Sequence, residues 1–384
     1  MSRFFFMAGI YIHVPYCKVK CNYCDFHFST SRKNQPDMLQ AMLVELEQRK
    51  NYLTDSPIET IYFGGGTPSV TGGFFISKIL SAIHEKFIVS PLSEITVECN
   101  PDDITVQLLS EFKSAGVNRI SLGVQSFDDD VLKMMNRAHT SKQIFNPVNL
   151  IQNAGLTNFT IDLIYGIPGK NMDCWREQMD VFLSLNIPHL SAYCLTIEKK
   201  TVFGALHRKG ELTTVSDELA LEQFEYLMSK LNDMGYEQYE ISNFAKAGFI
   251  SKHNSAYWLD EKYLGIGPSA HSYNLVTRDW NISNNARYIK AMKLGEKFSE
   301  SEIITPTIRC HDYLLTRLRT KWGINLNELQ YIGADRLSVL KKKTSYYLKE
   351  NLLEINTQGN LILTKEGKFK ADGITASLFT DDEG

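Results

Sequence analysis

Tyr11-Ile-His-Val-Pro-Tyr-Cys17-Lys-Val-Lys-Cys21-Asn-Tyr-Cys24-Asp-Phe26 is the stretch that decides how this 384-residue chain is interpreted. Its three cysteines have the spacing C-x3-C-x2-C and directly follow an apolar, strand-like run. A structural zinc ion takes four ligands, so three thiolates leave such a site incomplete. A cubane iron–sulfur cluster held by three thiolates keeps one iron free to bind a ligand. The pattern therefore predicts a [4Fe-4S] cluster on Cys17, Cys21 and Cys24.

A zinc site is the alternative, because His27 follows Cys24 at a spacing that is typical of metal ligands. The remaining cysteines lie in apolar or helical sequence and are interpreted as small core residues. They are Cys99, Cys174, Cys194 and Cys310. A cluster needs free thiolates, which the reducing cytoplasm maintains, so we expect a cytoplasmic protein.

The overall composition indicates an ordinary globular protein, with 43% hydrophobic and 22% charged residues. Its length allows one large domain and a smaller one. The net charge of −3 gives no sign of a basic surface for nucleic acid. An apolar run at the start is interrupted by His13 and Pro15 and lacks a cleavage site, so it is interpreted as a strand after a short tail at residues 1–6. No apolar run is long enough to span a membrane.

Short β-rich runs alternate with amphipathic stretches through the first half of the chain. The strands are predicted at Ile10–Val14, Thr60–Phe63, Ile95–Glu98, Arg119–Gly123, Thr160–Ile164 and Leu190–Leu195. The helices are predicted at Asp37–Tyr52, Phe74–Phe87, Thr105–Ser114, Asp128–Met135, Ser141–Ala154 and Asp173–Leu185. Six β–α units indicate an α/β fold, a parallel sheet with its helices outside. The alternation is compatible with both a closed barrel and an open doubly wound sheet.

The second half of the chain is less regular. Helices are predicted at Asp217–Leu231, Ala286–Leu294 and Arg309–Arg319, and Thr364 is predicted to cap a last helix. A β-hairpin is predicted from Leu352–Asn356 and Leu361–Thr364. Helices followed by a hairpin also occur in winged-helix modules, but the basic run at 341–343 is more typical of a solvated surface than of DNA binding.

Polar residues that are suited to ligand binding or catalysis lie at the ends of the predicted strands. Gly64-Gly65-Gly66-Thr67-Pro68 follows the second strand, where the glycines allow either a tight turn or close contact with a ligand. Glu98 ends the third strand, either facing solvent or accepting hydrogen bonds from a ligand. Gln125 follows the fourth strand and supplies an amide.

Two further charged residues complete this set. Arg137 lies after the helix that follows the fourth strand, and its planar guanidinium group suits a carboxylate. Considered alone, it would be interpreted as a surface arginine. Asp162 lies in the otherwise apolar fifth strand, where a carboxylate needs a partner. It either points into a barrel towards a ribose or Arg137, or is held by a neighbouring helix.

The cysteine motif resembles the signature of the radical S-adenosylmethionine (SAM) superfamily. There, SAM chelates the free iron, and the reduced cluster splits SAM into methionine and a 5′-deoxyadenosyl radical. The resemblance implies a partial (β/α)6 barrel with its site at the carboxyl ends of the strands. It also implies SAM contacts for a set of residues spread over five strands. They are Tyr11, Gly65, Gly66, Thr67, Glu98, Gln125, Arg137 and Asp162.

A closer resemblance covers most of the chain. Five motifs are similar to those of the oxygen-independent coproporphyrinogen III oxidase group. They are Tyr11-Ile-His-Val-Pro, Gly64-Gly-Gly-Thr-Pro-Ser, Ser121-Leu-Gly-Val-Gln-Ser-Phe, Asp162-Leu-Ile-Tyr-Gly-Ile-Pro-Gly and Gln238-Tyr-Glu-Ile-Ser-Asn. One branch, HemN, decarboxylates two propionates of a porphyrinogen, and the other, HemW, is a heme chaperone.

Three features favour the heme-chaperone branch. Phe26 replaces the fourth cysteine of the oxidases, and the long extension that precedes their cluster motif has no counterpart before Cys17. His253-Asn-Ser-Ala-Tyr257-Trp258 resembles the HemW heme motif H-N-x-x-Y-W. Histidine can ligate heme iron and the two rings can cover the macrocycle. The alternative is a loop histidine beside two core aromatics. His271 is a weaker second candidate ligand.

The resemblance therefore predicts a heme chaperone with a [4Fe-4S] cluster, SAM and heme as cofactors, and His253 as heme ligand. Its partners are apo-hemoproteins, including respiratory ones, and cluster assembly is linked to homodimer formation, with SAM regulating transfer. The predicted domains are a radical SAM core at 1–235, a heme-motif extension at 236–285 and a mainly helical C-terminal domain with the hairpin at 286–384. The alternative function is an oxygen-independent coproporphyrinogen III dehydrogenase.

Overall fold

This computed structural model describes residues 8–53 and 56–379, and the tail predicted at residues 1–6 lies outside them. The first half alternates strands and helices. They are β1 (Ala8–Val14), α1 (Gln35–Gln48), β2 (Ile58–Gly65), α2 (Gly72–Lys86), β3 (Val89–Cys99), α3 (Val106–Ser114), β4 (Arg119–Gln125), α4 (Asp129–Met134), α5 (Lys142–Asn153), β5 (Phe159–Tyr165), α6 (Met172–Ser184) and β6 (His189–Cys194).

Strands β1 to β6 pair in chain order, and every neighbouring pair is parallel. Their apolar residues, such as Ile10, Ile61 and Ile161, are fully buried because helices cover the outside of the sheet. Side chains on the inner face, among them Tyr11, Glu98 and Tyr193, line one common cavity. The sheet is therefore curved around its own interior. The prediction of an α/β partial (β/α)6 barrel is confirmed, and the open sheet is not formed.

The second half contributes further elements. They are α7 (Val202–Arg208), α8 (Asp217–Asp233), β7 (Glu237–Glu240), β8 (Asn243–Ala245), α9 (Lys252–Trp258), β9 (Lys262–Ile266), β10 (His271–Tyr273), β11 (Thr277–Asn281), α10 (Asn285–Leu294), β12 (Ser299–Ile303), α11 (Pro306–Leu318), α12 (Ala334–Lys349), β13 (Leu353–Ile355), β14 (Leu361–Leu363), α13 (Lys365–Phe369) and α14 (Ala371–Leu378).

These short strands extend the barrel sheet at both of its edges. Strand β9 pairs in parallel with β1 and continues into the antiparallel strands β10, β11 and β12. At the other edge, β8 pairs antiparallel with β6 and then with β7. The sequence did not reveal these strands, because runs of three to five residues are too short to show a strand period.

A second hydrophobic core lies in the C-terminal part of the chain. It brings together α11, α12, α14 and the hairpin β13–β14, whose Leu353 pairs with Leu363. Thr364 caps α13 by accepting the amide hydrogen of Gly367, as predicted. Helix α10 packs on the barrel side, where it contributes Tyr288 and Met292 to the large hydrophobic core formed by β1 to β6 and their helices. Among the helices of the described part of the chain, none has both the length and the apolar character needed to cross a membrane.

Glu45 on α1 is a charged residue buried in the large core. Its carboxylate accepts hydrogen bonds from Tyr288 at 2.5 Å, from the Asn281 amide at 2.7 Å and from the Gly267 amide at 2.8 Å. Arg49 lies 3.5 Å away. One carboxylate thus joins α1, α10, β11 and the loop after β9, the elements that extend the barrel beyond β1.

We expect Glu45→Ala to lower the free energy of unfolding by about 3–5 kcal/mol, because several buried donors lose their acceptor. Chemical denaturation followed by circular dichroism measures this change. Glu47→Ala is the matched control on the same helix, since its exposed carboxylate contacts Lys50 and Lys86 at the surface. Equal effects of the two substitutions would contradict the assignment of Glu45 as the link.

Candidate functional site

The three cysteines of the motif lie in the loop between β1 and α1, at the carboxyl end of the barrel. Backbone hydrogen bonds hold this loop in place: within it Cys17 donates to Ser29 at 3.0 Å, and Asn22 donates to Met135 outside it at 3.0 Å. The contact with Met135 brings the loop to the end of α4. The cysteine loop is therefore closed on itself at Ser29 and fixed against the β4–α4 unit at Met135.

The three thiols lie close enough to influence one another electrostatically, and they have polar neighbours. Thr67 donates its hydroxyl hydrogen to the sulfur of Cys17 at 3.5 Å, and Arg137 donates to the sulfur of Cys21 at 3.3 Å. Burial raises the pKa of Cys17 to about 12, and the nearby Cys24 and Cys21 add to this effect while Arg137 opposes it. Burial also raises the pKa of Cys24. A half-buried set of thiols beside a fixed cation fits an anionic iron–sulfur cluster.

The geometry does not form the alternative zinc site. Within residues 8–53 and 56–379, no three histidine, cysteine, aspartate or glutamate side chains are grouped closely enough to hold one metal ion. The ring of His27 instead lies 2.7 Å from the amide oxygen of Asn285. In a cluster, each cysteine binds a different iron, so the three sulfurs need not converge on one point.

The glycines at the end of β2 allow the cysteine loop to approach. A Cβ on Gly66 would lie 2.5 Å from the carbonyl oxygen of Tyr16, and a Cβ on Gly65 would lie 2.6 Å from the ring of His13. Gly65 also has a φ of 103°, which side chains disfavour. The amide of Thr67 donates to Tyr16 at 2.6 Å. Gly66 therefore lets the backbone pack against the cysteine loop and Gly65 lets it pack against His13 of β1, and Gly65 also lines a cavity.

Two cavities meet inside the barrel. The larger has a volume of about 710 Å³ and lies beside the cysteine loop. The smaller has a volume of about 220 Å³ and lies deeper in the barrel. Tyr11, Glu98 and Tyr257 line both of them. These three side chains therefore form the wall between the cavities.

Glu98 faces this interior, not bulk solvent. Its carboxylate accepts a hydrogen bond from Tyr62 at 2.8 Å. Burial raises the pKa of Glu98 to about 7, with a further contribution from the nearby Asp162. The side chain can therefore hold or release a proton near neutral pH.

Asp162 also points into the barrel, where it lines the smaller cavity. It accepts a hydrogen bond from Ser121 at 3.3 Å, and burial raises its pKa to about 6. Arg137, named from the sequence as a partner for Asp162, instead donates to Asn100 and to the Gly123 carbonyl, both at 2.7 Å. Arg137 is thus not a surface residue but a link between β3, β4 and the cysteine loop.

Gln125 ends β4 with a φ of 67° and is only partly buried. It lies outside the linings of both cavities. Of the residues predicted to contact SAM, Tyr11, Gly65 and Glu98 line the larger cavity. Thr67 and Arg137 instead contact the cysteines.

His253 lies on α9 and is almost completely buried. One ring nitrogen lies 2.8 Å from the hydroxyl of Thr60, and the other lies 3.0 Å from the hydroxyl of Tyr257. Its ring stacks on Tyr62 with centroids 4.9 Å apart. Burial lowers the pKa of His253 to about 3, and Arg119 contributes to this shift, so the imidazole is neutral at physiological pH.

Glu94 of β3 determines where α9 begins. Its carboxylate accepts the amide hydrogens of Lys252 and His253 at 3.1 and 3.0 Å and the hydroxyl hydrogen of Ser251 at 3.2 Å. A carboxylate at this place stabilises a helix N-terminus. The contact anchors His253 over the barrel. Sequence reasoning did not identify Glu94. The available signal was its charge directly before the apolar strand predicted at Ile95–Glu98.

Comparison with known proteins agrees with this architecture. A family model described as the radical SAM superfamily matches residues 11–181. A Lactococcus lactis protein named heme chaperone HemW is 36% identical over 320 residues, which cover 83% of each chain. A Bacillus subtilis protein of the same name is 34% identical over 371 residues, or 96% of this chain and 98% of that one.

The solved structure of Escherichia coli coproporphyrinogen III oxidase (HemN), titled a radical SAM enzyme, matches with a TM-score of 0.83. The match covers 97% of this chain and 90% of that one, and at 21% identity it supports the fold. The relatives named HemW extend over nearly the whole chain at higher identity. The chain therefore belongs to the HemW-type branch of the radical SAM superfamily.

Proposed function

We propose that this protein is a heme chaperone, which binds heme and transfers it to apo-hemoproteins. The observation that carries the proposal is the neutral, buried imidazole of His253 on a helix at the wall between the two cavities. The relatives named heme chaperone HemW support it, since their likeness includes the part of the chain that contains α9. The proposal places the protein in the cytoplasm and includes homodimer formation.

Cys17, Cys21 and Cys24 would hold a [4Fe-4S] cluster, and SAM would bind beside them in the part of the larger cavity next to the cysteine loop, which leaves the part next to Tyr257 to heme. The bound cluster and SAM supply one-electron chemistry, while the protein supplies position and electrostatics. Arg137 balances negative charge at the thiolates through its contact with Cys21. Tyr11, Gly65 and Glu98 offer contacts from the cavity wall, and Asp162 lies deeper. Gly66, Thr67 and Gln125 shape the surrounding loops.

Heme ligation by His253 requires one local rearrangement. Both ring nitrogens have hydrogen-bond partners, at Thr60 and Tyr257. A ligating imidazole needs one nitrogen free for the iron. Tyr257 is the side chain that can move aside, because it lines both cavities. Its movement opens the wall between the cavities and frees the imidazole of His253 towards the larger one.

The alternative is an oxygen-independent coproporphyrinogen III dehydrogenase. Its support is the likeness to the HemN structure, which at 21% identity extends to the fold alone. Decarboxylation of coproporphyrinogen by the reconstituted protein, coupled to SAM cleavage, would favour this alternative over the chaperone.

The cluster assignment predicts that replacing any of Cys17, Cys21 or Cys24 with alanine abolishes the broad iron–sulfur absorption after anaerobic reconstitution. Wild-type protein should contain about four irons per chain, because the proposed cluster is a cubane. Cys310→Ala, in the second core, is the control and should retain the absorption. A colourless wild-type protein that contains zinc would contradict the assignment.

The raised pKa of Glu98 predicts pH-dependent SAM binding. As the pH rises through about 7, the carboxyl group loses its proton, and the anion attracts the sulfonium cation of SAM. The affinity for SAM should therefore increase several-fold between about pH 6 and pH 8.

Isothermal titration of reconstituted protein measures this dependence, and Glu98→Gln should remove it. Glu85→Gln, on the outside of the barrel, is the control that should retain it. An identical pH profile for wild type and Glu98→Gln would show that Glu98 does not face the ligand.

The proposed ligation predicts opposite effects of two substitutions on heme affinity, measured from the Soret band in anaerobic titrations. His253→Ala should weaken saturable binding by at least about tenfold, because the iron loses its ligand. Tyr257→Phe should strengthen binding by about threefold to tenfold, because the ring nitrogen loses a competing hydrogen bond. His84→Ala, on the surface of α2, is the control. Unchanged affinity and spectrum in His253→Ala would reject His253 as ligand.

A further inference from the structure

Arg119, the first residue of β4, is a buried cation with unused hydrogen-bond donors. Only 2% of its surface is exposed. Its Nε and Nη2 atoms are buried and have no hydrogen-bond partner in the described part of the chain. A buried guanidinium without acceptors is costly, so such a group is a candidate for binding a ligand.

The surrounding carboxylates are already engaged with other donors. Glu94 approaches Nε only to 3.8 Å, and its oxygens accept hydrogens from the N-terminus of α9. Asp162 accepts a hydrogen bond from Ser121, and Glu98 accepts one from Tyr62. Their negative charge lowers the cost of burying Arg119 but leaves its Nε and Nη2 hydrogens without an acceptor.

The free atoms define the chemistry of the ligand. Nε and Nη2 lie along one edge of the planar guanidinium, and their hydrogens point in the same direction. A carboxylate presents two oxygens at the matching spacing and forms a bidentate pair with such an edge. Arg119 lines the smaller cavity, so a carboxylate that enters this cavity can reach it.

The volumes indicate that only part of a ligand enters. The smaller cavity, at about 220 Å³, is below the range of about 300–1,000 Å³ that is usual for whole ligands. The larger cavity, at about 710 Å³, lies within that range and shares Tyr11, Glu98 and Tyr257 with the smaller one. A ligand with a bulky body and a flexible carboxylate arm fits this pair of cavities.

We infer that Arg119 binds a propionate carboxylate of heme while the macrocycle lies in the part of the larger cavity next to Tyr257. This inference rests on the proposed heme-binding function and adds the group on heme that is recognised. Displacement of Tyr257 opens the path for the propionate and frees His253 for the iron in the same movement. SAM also carries a carboxylate and is the second source of the same chemistry.

Heme and heme dimethyl ester, which lacks free carboxylates, distinguish these cases when titrated into the reconstituted protein. Wild-type protein should bind heme on the order of tenfold more tightly than the diester. Arg119→Gln should bind the two with equal affinity, and Arg176→Gln, on the outer surface of α6, should behave like wild type. Because the diester tests the unaltered protein, the result does not depend on whether Arg119→Gln folds.

Each other outcome overturns the inference in a different way. Equal affinity of wild-type protein for heme and the diester removes the role of the propionate and leaves heme binding itself intact. Weaker SAM binding in Arg119→Gln, with the preference for heme over the diester retained, assigns the carboxylate to SAM. A protein that binds neither heme nor the diester overturns the proposed function together with this inference.

Discussion

The close approach of the cysteine loop to the turn after β2 is the constraint on which the site depends. Two amide hydrogen bonds cross this contact, from Gly66 to Val14 at 2.9 Å and from Thr67 to Tyr16 at 2.6 Å. Side chains at Gly65 and Gly66 would collide with β1 and its loop. The cysteines lie at the strand ends because the backbone of the cysteine loop packs directly against this glycine turn. The same contact brings Thr67 within hydrogen-bonding distance of Cys17.

The buried charged residues are of two kinds. Some hold structural elements together, and others line the cavities where a ligand can bind. Glu45 has three hydrogen-bond donors that join α1 to the elements beyond β1, and Glu94 has three that anchor α9. Such saturated carboxylates hold elements in place. Arg119 has unused donors, and Glu98 has a pKa raised to about 7. These incompletely compensated groups line the cavities, where a ligand can complete their interactions.

Helix α9 connects the two halves of the proposed function. Its N-terminus is attached to β3 through Glu94, and its Tyr257 forms part of the wall between the cavities. Because Tyr11 and Glu98 belong to the same wall, the larger cavity borders the surroundings of His253. Under the proposed function, this shared wall is the route by which bound SAM would influence heme binding.

Sequence alone determined the six β–α units and the cysteine motif, and the barrel followed from the family resemblance that this motif carries. Six β–α units, the C-x3-C-x2-C spacing and the glycine turn are local patterns, and local patterns follow from the chain's own periodicity and composition. The edge strands β7 to β12 escaped detection, because short strands owe their conformation to neighbours that are distant in sequence. Only tertiary structure decided that Arg137 contacts Cys21 and not Asp162, that His253 is enclosed by Thr60 and Tyr257, and that Arg119 is left without an acceptor. Burial and hydrogen bonding of single side chains depend on which strands become neighbours, and the order and register of strands is a property of the folded sheet.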